Sequence, residues 1–87
     1  MDIIRLLALR GTRKILQSME KAGRMRYSEI VKIVGYSTTA TRALKSMEGQ
    51  GILRRQVLDE PYRPVSYSLT DKGRKLASLL KELENLS

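Results

Sequence analysis

Residues 36–52, YSTTATRALKSMEGQGI, decide how the whole chain is read. Ala40, Ala43, Leu44 and Met47 stand at i, i+3, i+4 and i+7, a spacing that predicts a helix carrying all four on one face against a core. Thr38, Thr41, Arg42 and Lys45 then point the other way. Ser37 or Thr38 offers a hydroxyl to cap the helix start, and Gly49 and Gly51 offer the left-handed backbone that ends a helix at little cost. The helix is set at 38–48. Its outer face holds short hydroxyls and long cations instead of the mixed Glu and Lys of an ordinary solvated helix. Such a face suits a DNA duplex: cations neutralise phosphates and reach guanine edges, and threonines bond phosphates or touch thymine methyls.

Working outward, the 87 residues leave room for one domain, with a core sized for three or four short helices and a hairpin. The net charge of +8 implies a polyanionic partner, most often nucleic acid, against the plainer alternative of a generally basic surface. The excess sits early: the first 50 residues hold ten of the 17 cations and four of the nine anions. Cysteine and histidine are both absent, which removes disulfides, thiolate nucleophiles, Cys/His zinc sites and imidazole bases. No catalytic residue, metal site or cofactor is expected. No apolar run approaches bilayer length, and the start, MDIIRLLALRG, makes a poor signal peptide, so an intracellular soluble protein is expected.

In chain order, IIRLLAL (3–9) predicts a short apolar helix whose surface must lie against another element or another chain. After Gly11, Thr12 is positioned to cap a second helix reaching Ala22, with Ile15, Leu16 and Met19 inward. Arg24 to Tyr27 reads as a short extended link. Ser28 would cap a third helix opening Glu29-Ile30, with Ile30, Val31, Ile33 and Val34 apolar. Only Gly35, Tyr36 and Ser37 separate it from the opening stretch, and two short helices joined by so brief a glycine-bearing turn are the signature of a helix-turn-helix. Tyr36 is expected to pack in that turn.

From Ile52 the periodicity changes. ILRRQVL, DEPYRP and VSYSL together predict a β-hairpin with Val65, Tyr67 and Leu69 on one side and a tip at about 59–63, where Pro61 and Pro64 cost no ladder bond. Neither face of the first strand is clean, and its register stays open. Thr70 and Asp71 cap a last helix in which Leu76, Leu79, Leu80, Leu83 and Leu86 recur at three- and four-residue steps. Five leucines exceed the needs of a small core. The first half of the helix is expected to pack on its own domain and the second half on a two-fold copy. An interface of Ile3, Ile4, Leu7, Leu76, Leu79, Leu80, Leu83 and Leu86 follows, with a purely internal stripe as the alternative.

The order helix, helix, turn, helix, hairpin, helix is that of a winged helix-turn-helix. RKILQSMEKAGRMRYSEIVKIVGYSTTATRALKSMEGQGIL followed by YSLTDKGRKLASLL resembles the DNA-binding domain of small prokaryotic regulators of the HxlR, MarR and ArsR type. RYSEI, LKSMEGQGIL and YSLTDKG are the most specific pieces, and the likeness covers roughly residues 12–80. It implies a mainly α fold with a small β-hairpin wing (α+β), a three-helix core and a C-terminal helix. On this reading residues 1–87 form one domain: an apolar segment at 1–10, a helical core at 12–50, the wing at 52–69 and a dimerisation helix at 70–87.

The resemblance further implies a homodimer that regulates transcription by placing its recognition helices in successive major grooves of double-stranded DNA. By position, Thr38, Thr39, Thr41, Arg42 and Lys45 would face the groove. Tyr27 and Ser28 would lie near phosphates, and Arg54, Arg55, Tyr62 and Arg63 would belong to the wing. Two departures matter. The N-terminal cysteine usual in the HxlR type is missing, so redox sensing does not carry over, and the flanking helices are too short to frame a MarR-type pocket alone, so no small-molecule effector is expected. A cytoplasmic, nucleoid-associated protein follows.

Among these residues Arg42 is the expected base reader, since a bidentate Arg–guanine pair gives about 1–3 kcal/mol of discrimination, and Lys45 suits a phosphate equally well; the alternative for both is an exposed cationic face that aids solubility. Arg54, Arg55 and Arg63 also fit charges that discourage strand-edge pairing. Tyr62 fits either loop packing or a wing-tip contact, and Arg24 and Arg26 contribute field. Two other functions remain alternatives: a non-specific architectural DNA-binding protein, and a winged-helix protein-interaction module.

Overall fold

The computed structural model describes residues 2–87. Its elements are α1 (Ile3–Ala8), α2 (Thr12–Ala22), β1 (Arg24–Arg26), α3 (Tyr27–Val34), α4 (Ser37–Gly49), β2 (Leu53–Val57), β3 (Val65–Leu69) and α5 (Asp71–Asn85). The order is that of a winged helix-turn-helix, mainly α with a small antiparallel sheet. That sheet runs β1-β3-β2, one strand more than the hairpin expected from sequence. The link read at 24–27 is mostly this extra strand, with Met25 opposite Tyr67. Its periodicity is too short to see, since only Met25 of the three residues is apolar and buried.

Apolar spacing becomes packing in each helix. Ile15, Leu16 and Met19 of α2, Ile30 of α3 and Ala40, Ala43, Leu44 and Met47 of α4 are all buried in one core, which Leu6 of α1, Ile52 and residues of the sheet and α5 share. Full burial of a side chain the size of Leu6 contributes about 1.5–3 kcal/mol. That anchor matters for α1, because a helix of six residues has no stability of its own.

Several helix starts differ from the expectation. The Asp2 carboxylate caps α1 by accepting the Arg5 N–H at 2.8 Å. Gly11, with φ of 90°, holds the cap position of α2, and Thr12 lies one residue further in, wholly buried, its hydroxyl without a partner. α3 begins one residue before Ser28; the Glu29 carboxylate reaches back to accept the Arg26 N–H at 2.9 Å. No side chain caps α4, where Ser37 is already helical, and Tyr36, expected to pack in the turn, is largely exposed.

The open register resolves with Leu53 opposite Leu69 and Arg55 opposite Tyr67. Leu53, Arg55 and Val57 therefore share a face with Val65, Tyr67 and Leu69, and Arg54 and Gln56 take the other. The junction into α5 explains the YSLTDKG stretch. The Thr70 N–H donates to the Ile52 carbonyl at 3.0 Å, and its hydroxyl accepts the Gly73 N–H, also at 3.0 Å, as the cap of α5. Gly73 is obligatory for space: a Cβ there would run into the Ile52 carbonyl oxygen.

α5 corrects part of the interface expectation. Leu76 and Leu80 are buried in the protomer's own core with Ala77, whereas Leu79, Leu83 and Leu86 remain exposed. At 100° per residue the buried arc of α5 is centred among Leu76, Ala77 and Leu80. Leu83, Leu79 and Leu86 lie progressively further round.

Candidate nucleic-acid interface

The outer face of α4 emerges from its own construction. With Ala40, Ala43, Leu44 and Met47 no more than 1% exposed, rotation along the helix leaves Thr38, Arg42 and Lys45 in solvent. Thr38, Thr41, Arg42 and Lys45, with Ser37, line one shallow depression along the helix. Neither Arg42 nor Lys45 makes an ion pair or a side-chain hydrogen bond among the described residues, so both cations are available to an anionic partner.

The flanks of α4 differ. Thr41 is half-buried and shares a 2.7 Å hydrogen bond with the Tyr27 hydroxyl, tying the start of α3 to the middle of α4. The Tyr27 hydroxyl is therefore engaged within the motif, and Ser28 beside it is exposed. On this flank Lys45, Thr41 and Tyr27 share a groove with Arg55, Val65 and Tyr67, so the recognition helix and wing form one continuous surface. Thr39 turns to the opposite flank, beside Gly11 and Val34, and is half-buried there.

The wing separates its cations. Arg55 lies on the α4 side, and Arg54, one residue earlier, lies on the other face of the sheet. Tyr62 stands almost fully in solvent at the tip, next to Arg63, whose φ of 44° turns the loop back toward β3. The tip is closed by the Arg63 N–H donating to the Glu60 carbonyl at 2.8 Å and tethered by a 3.3 Å ion pair between Arg26 and Glu60. Arg26 thus has a structural partner where sequence reading gave it only a contribution to the field. Its partner, 34 residues away, carries no local sequence signal.

A three-helix core, a short-turned helix-turn-helix and a β2–β3 wing beside an uncovered cationic helix define a winged helix-turn-helix of the nucleic-acid-binding type. The particular lineage is equally plain: the HxlR-like helix-turn-helix family profile matches residues 6–87, and the chain belongs to that family.

Relatives and solved structures agree. An uncharacterized HTH-type transcriptional regulator of Methanothermobacter thermautotrophicus is 35% identical over 65 residues, 72% of this chain and 50% of that protein. The uncharacterized HTH-type transcriptional regulator YvaP of Bacillus subtilis is 36% identical over 63 residues, 70% of this chain and 58% of that protein. The chain thus spans about half the length of the curated relatives it matches. The reduced form of the B. subtilis transcriptional regulator YodB superposes with a TM-score of 0.77 at 28% identity, covering 94% of this chain and 81% of that one. The relatives and this neighbour are named as transcriptional regulators. No helix among the described residues is long and apolar enough to cross a membrane.

Proposed function

We propose that the chain is a sequence-specific, double-stranded-DNA-binding transcriptional regulator that acts as a homodimer. α4 enters the major groove and the wing rests on flanking DNA. One observation carries this reading: Arg42, flanked by Thr38 and Lys45, is exposed and unpaired on a helix whose opposite side is sealed into the core. Arg42 reads a base edge, Lys45 anchors a phosphate, and Thr38 contacts the groove wall. Ser28, Arg54, Arg55, Tyr62 and Arg63 supply backbone contacts around it. Tyr27 and Thr41 hold the two helices of the motif in register through their shared hydrogen bond, and Thr39 supports the opposite flank.

The dimer reading is supported by exposed apolar side chains on the two terminal helices: Ile4 is 76% exposed, Leu83 57% and Leu86 84%. Together with Leu79 and the half-buried Ile3 and Leu7, they are the apolar side chains that a second copy would cover. A small-molecule effector forms no part of this reading. Selection of bound duplexes from a random pool tests it. The expected product is a pseudo-palindrome with half-sites about one helical turn, roughly 34–36 Å, apart. A pool that retains DNA without enriching any sequence would point to non-specific architectural binding, and a pool that retains none would end the DNA reading.

A further inference from the structure

The chain carries a second cationic surface on the side of α4 away from the wing. Arg10, Arg13 and Lys14, at the corner between α1 and α2, line an open depression together with Gly11 and with Tyr36 and Thr39 from the turn and first turn of α4. All three cations are exposed and make no ion pair or side-chain hydrogen bond among the described residues. Packing fixes the corner: a Cβ on Gly11 would sit 3.3 Å from Val34 Cγ1 and 3.6 Å from Thr39 Cγ2, so the corner lies directly against the helix-turn-helix.

We propose that Arg10, Arg13 and Lys14 form a second backbone clamp, binding the phosphates of the DNA strand that borders the major groove opposite the wing. The inference rests on the DNA-binding reading and extends it. Thr39 and Thr41, two residues apart, project about 200° apart round the helix, so the corner and the wing stand on opposite sides of the line through Thr38 and Arg42. A helix seated in a groove about 12 Å wide has a phosphate strand on each side. Arg55 and the wing serve one strand, and the corner meets the other. The same depression includes Leu7 of α1 and Leu80 of α5.

The test is a salt titration of the 87-residue chain on two duplexes, the one it selects from a random pool and a random sequence of equal length. Each phosphate contact contributes about 0.9 to the slope of log affinity against log salt. Arg10→Ala/Arg13→Ala should therefore lower the slope by about 2 per bound protomer on both duplexes. It should weaken binding by roughly 50- to 100-fold per protomer at 0.1 M salt. Arg10→Lys/Arg13→Lys should retain the slope. A charge-matched control, Lys21→Ala/Lys75→Ala, removes two exposed cations that share no depression with α4 and should change it far less. Phosphate ethylation on the strand opposite the wing should block the wild type and not the Arg10→Ala/Arg13→Ala variant. A slope equal to that of the wild type would overturn the clamp while leaving the DNA reading standing. A wild type that binds neither duplex would instead remove the DNA reading itself.

Discussion

α4 and α5 are the two longest helices of the fold, and each seals one side into the same core, with Ala40, Ala43, Leu44 and Met47 in α4 and Leu76, Ala77 and Leu80 in α5. Their exposed sides diverge. In α5, Arg74 pairs with Asp71, Lys81 lies 3.5 Å from Glu20, and Lys72 donates to the Gln50 carbonyl at 2.8 Å. Among its other exposed residues, Leu79, Leu83 and Leu86 are large and apolar. In α4 the cations have no protein partner, and hydroxyls stand where α5 has leucines. Exposed ion pairs contribute little to stability, so the contrast matters for what each helix leaves uncovered. One offers unneutralised positive charge and the other apolar area, which fit a polyanion and a second copy of the chain respectively.

The contrast breaks hardest in α5. Leu80→Ala should cost about 2–5 kcal/mol of unfolding free energy, because it opens a cavity in the core. Leu83→Glu should leave the helical signal intact and lower the mass measured by light scattering, since its side chain is exposed. An unchanged mass with collapsed helicity would return Leu83 to the monomer core. At the start of α5, Gly73→Ala should lose roughly 1–3 kcal/mol in denaturant unfolding by forcing the helix away from Ile52.

On the α4 side, Arg42→Ala should cost about 1–3 kcal/mol on the selected duplex and much less on random DNA. Equal losses on both would make Arg42 a phosphate contact. Lys45→Ala should reduce the salt slope by about 0.9 per protomer on either duplex. The smallest effect is expected at Thr12, whose buried hydroxyl is unpaired. Thr12→Val keeps the shape and should be neutral or raise stability by up to about 1 kcal/mol in thermal unfolding.

How much of this is legible in the chain follows from the range of the interactions involved. The buried face of α4 reads correctly because Ala40, Ala43, Leu44 and Met47 lie within two turns of one helix, whereas the expected hydroxyl cap at Ser37 or Thr38 is not made and Tyr36 stays exposed. Thr70 reads correctly as a cap because its acceptor role is settled three residues away, at Gly73. β1 is invisible because its three residues become a strand only by pairing with Ser66, Tyr67 and Ser68. Hydroxyl capping fails at Thr12 and Ser28 because a glycine with positive φ and a back-reaching glutamate do those jobs instead. The leucine stripe of α5 misplaces Leu76 and Leu80, since periodicity gives a face without saying what covers it. The corner cations are present as RGTRK at 10–14, and only the fold brings them beside Tyr36 and Thr39.

Because the chain contains no cysteine, a single introduced thiol gives one unambiguous attachment point. An iron chelate tethered in turn to Thr38→Cys and Ser78→Cys, both exposed positions, would report which helix approaches the duplex. Strand cleavage inside the selected half-sites from position 38, with none from position 78, is the expected result. Cleavage from position 78 with position 38 silent would contradict the assignment of α4 to the groove.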